Sequence, residues 1–298
     1  MIQPLNVSRE EFPKSDMKSE GMITLNINCD NRTMEYIPDI EYINRDGIAL
    51  YIQLLLPCDR DENTPLVVYV PGSAFRWQNV KGVIPTVSLL ANRGFAIAMV
   101  QYRGSEVAAF PAQMLDTKAA VRFMKINAGK YGLNSDNVYL MGDSSGGHTA
   151  LMAGLTCGIE KFEEKIYSEV SSDVRGIVDF YGPTDITKMN DEPSSQNHIE
   201  PDSPEGCLIG GLNVLRHPEL TEDTIVMNYI DSDRKIPPVL IFHGTNDELV
   251  PFGQSCMLFD KLMKCGRKAA FYGIDNAHHG GSEFWSNQML DIVEAFLK

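Results

Sequence analysis

No CxxC pair interrupts this chain, and no Cys/His cluster has the spacing of metal ligands. That removes zinc-ribbon, zinc-finger and thioredoxin-like chemistry, so neither a metal nor a cofactor is expected. The six cysteines, Cys29, Cys58, Cys157, Cys207, Cys256 and Cys265, are scattered. They read as free thiols of a reducing compartment, with Cys157 and Cys256 as buried packing residues. Also missing is any run of about 18 uninterrupted apolar residues, so neither a membrane span nor a membrane partner is expected. The opening stretch MIQPLNVSREEFPKSDMKSE has no apolar signal-peptide core, and the expectation is a cytoplasmic protein. Positive charge is in deficit: 26 Lys and Arg face 40 Asp and Glu, a net charge of −14. Such an excess repels polyanions, which argues against a nucleic-acid partner. Composition leaves open whether the chain forms a homo-oligomer.

What is present is a strand–helix alternation. Of 298 residues, 43% are hydrophobic, enough for a sizeable core. Tyr36–Ile43 and Ile48–Leu56 flank an Asp46-Gly47 hairpin signal. The apolar runs Leu66–Val70, Phe95–Val100, Val138–Met141, Gly176–Tyr181, Val239–Phe242 and Ala269–Ile274 read as parallel strands buried on both faces. Met22–Asn28 alternates like an edge strand. Helical patterns cover Val83–Asn92, Pro111–Tyr131, Ser145–Leu155, Phe252–Cys265 and Glu283–Leu297. The second has Leu115, Ala119, Val121 and Ile126 as its apolar side. The expected fold is α/β: one domain over 1–298 with a mostly parallel central sheet and helices on both faces. Residues 185–235, polar and carrying Pro193, Pro201, Pro204 and Pro218, break the rhythm. They read as a partly helical cap or lid over the C-terminal strand ends, the alternative being a purely structural excursion.

Met141-Gly142-Asp143-Ser144-Ser145-Gly146-Gly147-His148 holds G-x-S-x-G between an apolar strand and a helix, the context of a nucleophile elbow. Glycines two residues to either side of the serine are needed because side chains there would collide. Ser144 has both; its rival Ser145, in the register Asp143-x-Ser145-x-Gly147, lacks the first. Ser144 is therefore the candidate nucleophile. At a helix start the Ser145 N–H becomes a candidate oxyanion donor.

A serine hydroxyl needs a base, and the base needs an acid to orient it. With this elbow the chain order is Ser, acid, His. After the run Val239–Phe242 stand Asp247 and, beside it, Glu248; Asp247 is the candidate acid. After Ala269–Ile274 stand His278 and His279; the histidine directly before Gly280, His279, is favoured as base. His148 and His243 read as packing or hydrogen-bonding residues, and nothing marks His198 or His217 as catalytic. The loop Pro71-Gly72-Ser73-Ala74 after Leu66–Val70 offers Ser73 and Ala74 as further oxyanion donors. Phe75, Trp77 and Phe110 are either pocket-wall or core aromatics.

Several longer stretches carry a resemblance: VVYVPGSAF, the run YRGSEVAAFPAQMLDTKAAVRFMKINAGKYGLNSDNVYLMGDSSGGH, YGPTD, PEGCLIGG, PPVLIFHGTNDELVP and HHGGSEFW. From about residue 35 to the end the chain resembles the esterase/lipase branch of the α/β-hydrolases related to hormone-sensitive lipase. More narrowly it is similar to bacterial carbohydrate-acyl esterases, which include feruloyl and acetylxylan esterases. The resemblance implies Ser144, Asp247 and His279 as a triad and a small-molecule ester substrate, small or sugar-linked. The chain departs from the pattern where the family often carries His-Gly-Gly-Gly and Pro71-Gly72-Ser73-Ala74 stands instead. A prolyl-oligopeptidase-type peptidase, a non-catalytic binder and a long-chain lipase are the rival readings.

Overall fold

β-Branched and apolar runs bounded by turn residues become strands here because the sheet takes their side chains on both faces. The computed structural model describes residues 3–27 and 32–298. In chain order the elements are β1 (Met34–Arg45), β2 (Ile48–Pro57), β3 (Leu66–Val70), α1 (Ile84–Ala91), β4 (Ala96–Val100), α2 (Ala112–Ile126), β5 (Val138–Asp143) and α3 (Ser145–Leu155). There follow β6 (Ile177–Phe180), the short α4 (Pro204–Leu208) and α5 (Pro218–Thr221), β7 (Val239–Gly244), α6 (Gly253–Lys264), β8 (Ala269–Ile274) and α7 (Asn287–Leu297).

The eight strands form one sheet in the order β1-β2-β4-β3-β5-β6-β7-β8. β2 pairs antiparallel with both β1 and β4, and every pairing from β4 to β8 is parallel. The hairpin closes in two residues: Arg45 pairs with Ile48, while Asp46 and Gly47 take φ of 52° and 93°. Two positive φ values in succession are what a tight hairpin turn requires, and Asp-Gly supplies them cheaply.

Period-two alternation splits the core into two layers. Val68, Ala98 and Leu140 face Val121 of α2, Leu151 of α3 and Leu262 of α6. Val67, Met99 and Met141 face Leu90 of α1 and Val293 of α7. Each fully buried Leu or Val contributes about 1.5–3 kcal/mol.

Several expectations are corrected. Residues 22–27 form no strand, and Asn28 lies outside the described residues. Alternation supplies a strand's side-chain pattern, but a strand also needs a partner ladder, and none forms there. These residues belong to a unit spanning Met1–Asn31, separate from Arg32–Lys298. Within it Ser8 and Glu11 exchange backbone-to-side-chain hydrogen bonds of 3.3 Å each way. α2 ends at Ile126 and gives way to a 3-10 turn, Ala128–Tyr131. Its Leu115 is half-buried and Ile126 is 42% exposed, whereas Asp116, Lys118 and Arg122 are buried. α7 begins only at Asn287, because Ser286 is extended and caps it, Oγ accepting from Met289 N. Cys157 and Cys256 are half-buried, not core; all five described cysteines are free, and Cys29 lies outside the described residues. Among the described residues no helix is long and apolar enough to cross a membrane.

Candidate active site

The sheet order reverses direction around β3, which lies between β4 and β5. Ligands of open α/β sheets gather beyond the C-terminal strand ends at such a point. The ladder pairs Val70 with Gly142, so the loop leaving β3 emerges beside the turn leaving β5. That turn is strained: Ser144 has φ 52° and ψ −129°. A Cβ on Gly142 would sit 2.3 Å from Gly146 O, and one on Gly146 would sit 2.0 Å from Val70 O. Neither position tolerates a side chain, which is the physical content of G-x-S-x-G.

Strands β7 and β8, paired through Gly244 and Ile274, deliver the other two groups. His279 Nε2 lies 2.9 Å from Ser144 Oγ. His279 Nδ1 lies 2.8 Å from Asp247 Oδ2 and 3.0 Å from Oδ1. Asp247 Oδ1 also accepts the Leu249 and Val250 N–H groups, each at 2.9 Å. The three residues expected to act together are thus joined in one relay.

The rivals are placed elsewhere. His278 is exposed and pairs with Glu248 Oε2 at 3.0 Å. Ser145 Oγ accepts the Ser73 N–H at 2.9 Å. That bond has a second meaning, because Ser73 was an expected oxyanion donor and its N–H is thereby occupied. Among the described residues the Ala74 and Ser145 N–H groups donate to no protein acceptor, and both residues line the cleft at Ser144.

The loop that lacks the family's histidine is pinned by other groups. Asp143 Oδ1 accepts from Gly72 N at 3.0 Å and from Tyr69 Oη at 2.5 Å. Tyr102 Oη donates to Pro71 O at 3.0 Å. Burial pushes the Tyr102 phenol up to about 12, so it stays a neutral hydroxyl. Burial also raises the Asp143 carboxyl, against the opposing pull of its bonds to Tyr69 and Gly72.

Burial alone would raise the Asp247 carboxyl too. Hydrogen bonds from His243 and His279 outweigh it and hold Asp247 well below the usual carboxylate range. His243 is a partner that sequence reasoning read as merely structural. Its Nε2 lies 3.2 Å from Asp247 Oδ2 and 2.9 Å from Val250 O. Its place four residues before Asp247 was the available signal. Tyr181, inside YGPTD, went unassigned; its ring packs 4.7 Å from that of His279. His148 is fully buried, bonds Thr224 O through Nε2 at 2.9 Å, and is lowered by burial to about 4.

Of the three aromatics, Phe75 lines the cleft and meets the His148 ring edge-on, Trp77 is 40% exposed, and Phe110 packs on Phe162. The cleft measures about 60 Å³. Residues 185–235 enter its wall through Gln196, His198, Pro204 and Glu205. The same segment is stitched to the loop after β7. Ser195 donates to Glu248 O through N and Oγ, both at 2.8 Å, and Ser194 Oγ and His198 Nε2 reach Leu249 O at 3.0 and 2.9 Å. A larger hollow of about 470 Å³ lies at the opposite, N-terminal strand ends, near Pro65, Gly94 and Arg175, far from these groups.

The family model described as BD-FAE matches residues 52–262. A probable carboxylic ester hydrolase of Mycobacterium tuberculosis, LipM, is 28% identical over 222 residues, 72% of this chain and 48% of LipM. The chain spans about half the length of the curated relatives it matches. Among solved structures, a truncated carbohydrate esterase from gut microbiota superposes with a TM-score of 0.78 at 28% identity, covering 90% of this chain and 96% of that one. A bifunctional GH43-CE protein of Bacteroides eggerthii gives 0.76 at 30% identity, covering 90% of this chain and 38% of that one.

Proposed function

The chain belongs to the BD-FAE family of α/β-hydrolase esterases, and on that premise we propose that it is a carboxylic ester hydrolase acting through an acyl-enzyme on short acyl esters of carbohydrate alcohols. The observation that carries the reading is the unbroken relay Ser144 Oγ–His279–Asp247 at 2.9 and 2.8 Å. His279 Nε2 takes the Ser144 proton as Oγ attacks the ester carbonyl carbon. Asp247 holds the imidazole and balances the imidazolium that forms. The N–H groups of Ala74 and Ser145 receive the oxyanion, where preorganised donors are each worth a few kcal/mol. Collapse returns the proton from His279 to the leaving alcohol. Water, deprotonated by the same nitrogen, then attacks the acyl-enzyme and frees the acid and Ser144.

The short acyl group is part of the proposal: Phe75, Pro183, Leu249 and Val250 wall the cleft beside Ser144. The carbohydrate alcohol rests on the names of the gut-microbiota and Bacteroides eggerthii neighbours. The test is turnover of acetyl, butyryl and feruloyl esters by wild type and Ser144→Ala. The expected result is acetyl preference, with kcat reduced about 10⁴-fold or more in the variant. Equal rates in the two proteins would remove Ser144 from the chemistry.

A further inference from the structure

The reacting atoms of an ester include no hydrogen-bond donor, yet two polar side chains of the covering segment stand in the cleft wall. They are His198 and Glu205, 2% and 3% exposed. Burying such groups is unfavourable unless they are paired. His198 is paired at both nitrogens. Its Nε2 is 2.9 Å from Leu249 O, and since a carbonyl only accepts, Nε2 carries a hydrogen. Its Nδ1 is 2.8 Å from Glu205 Oε2, so a single proton is shared along that line. Glu205 is paired only there. Among the described residues no donor reaches Oε1, and Oε1 is not among the buried atoms sealed away without a partner.

A carboxylate has about four lone-pair sites, so acceptor capacity remains on the cleft side. The backbone beneath it is held firmly: Pro204 starts α4 and Ser203 Oγ accepts Gly206 N at 2.9 Å. Nothing in the relay of Ser144, His279 and Asp247 uses this pair.

We propose that Glu205, braced by His198, is a specificity-determining residue: it accepts a hydrogen bond from a hydroxyl on the alcohol part of the ester. This rests on the ester-hydrolase reading above and deepens it. A short alkanoyl group such as acetyl has no donor, so in such an ester the hydroxyl comes from the alcohol. The favoured substrates are then short acyl esters of sugars and polyols. Esters of plain alkyl alcohols leave the Glu205 acceptor desolvated and unpaired, and sites built around such a bond discriminate strongly against the analogue lacking it.

The experiment compares kcat/KM of the full chain for a methyl xyloside monoacetate and for cyclohexyl acetate, a ring of similar size without hydroxyls. Wild type should prefer the xyloside ester at least tenfold. Glu205→Met should abolish most of that preference. Glu205→Gln, which still partners His198, should retain part of it. A purely bracing role for Glu205 would lower both esters together and leave the ratio intact, overturning the proposal. A wild-type ratio near one overturns it as well, whether or not the Met variant folds. Wild type inert toward every ester sinks the hydrolase reading along with this one; equal turnover of both esters sinks this one alone.

Discussion

Asp247 sits at the junction of two imidazoles and two backbone N–H groups, which explains why its carboxyl stays ionised despite burial. In the proposed mechanism its role toward His279 is orientation. Asp247→Asn places an amide against His279 Nδ1 and favours the wrong tautomer, so kcat should fall about 10⁴-fold while the fold persists. Steady-state kinetics beside circular dichroism decides it; a loss under tenfold would mean His279 is oriented by something else. At this scale the sequence was informative wherever a residue follows a strand end directly. Ser144 comes one residue after β5 and Asp247 three after β7, so strand recognition located them. Ser73 was harder. Whether its N–H is free depends on where the Ser145 hydroxyl turns, and motif spacing does not encode side-chain direction. Glu205 and His198 were invisible because their pairing spans a loop whose path no periodicity reports.

Helix α2 shows where patterning fails for a whole element. Asp116, Lys118 and Arg122 lie outside the expected apolar side, yet they are buried. Asp116 accepts from Arg45 Nε at 3.0 Å and from Arg103 at Nε, Nη2 and backbone N, between 2.8 and 3.0 Å. Lys118 Nζ meets Glu163 Oε1 at 2.9 Å and two carbonyls at 3.0 Å. These ions clamp α2 to β1, to the loop that precedes the helix and to the segment after α3, with partners 13 to 71 residues away. Removing the central anion strands the Arg103 guanidinium and leaves Arg45 only its Glu164 partner. Asp116→Ala should therefore destabilise by about 3–5 kcal/mol, read by urea unfolding. A change under about 1 kcal/mol, the worth of an exposed pair, would show the network to be solvated. The six parallel strands, by contrast, were legible to within two residues, because such strands are short apolar runs with turn residues at both ends. The exceptions are the Met22–Asn28 strand and the burial of β8, whose residues are half-buried or exposed at the sheet edge.

Across the whole molecule, two buried neutral groups near the elbow give stability opposite pH slopes. Burial raises Asp179 from its ordinary 3.8 to about 7, against the Gly182 N–H, and its Oδ2 has no partner. The folded protein keeps that proton where the unfolded chain has released it, so stability falls as pH climbs from about 4 to about 7. His148 does the reverse. Lowered from 6.5 to about 4 by burial, it withdraws stability as pH falls through that window, because the unfolded chain takes up the proton first. Asp179→Asn removes the first slope alone. The melting temperature of the variant should gain on wild type as pH rises from about 5 to about 8. A constant offset across that range would show that Asp179 does not titrate there.

The stitching of Ser194, Ser195 and His198 to the carbonyls of Glu248 and Leu249 has a mechanical consequence. Leu249 N is in turn bonded to Asp247. Lifting the covering segment must either break those bonds together or drag the acid's loop with it. Under the proposed mechanism the cleft wall and the acid's loop are one mechanical unit, and a displacement of residues 194–198 is transmitted to Asp247 through Leu249.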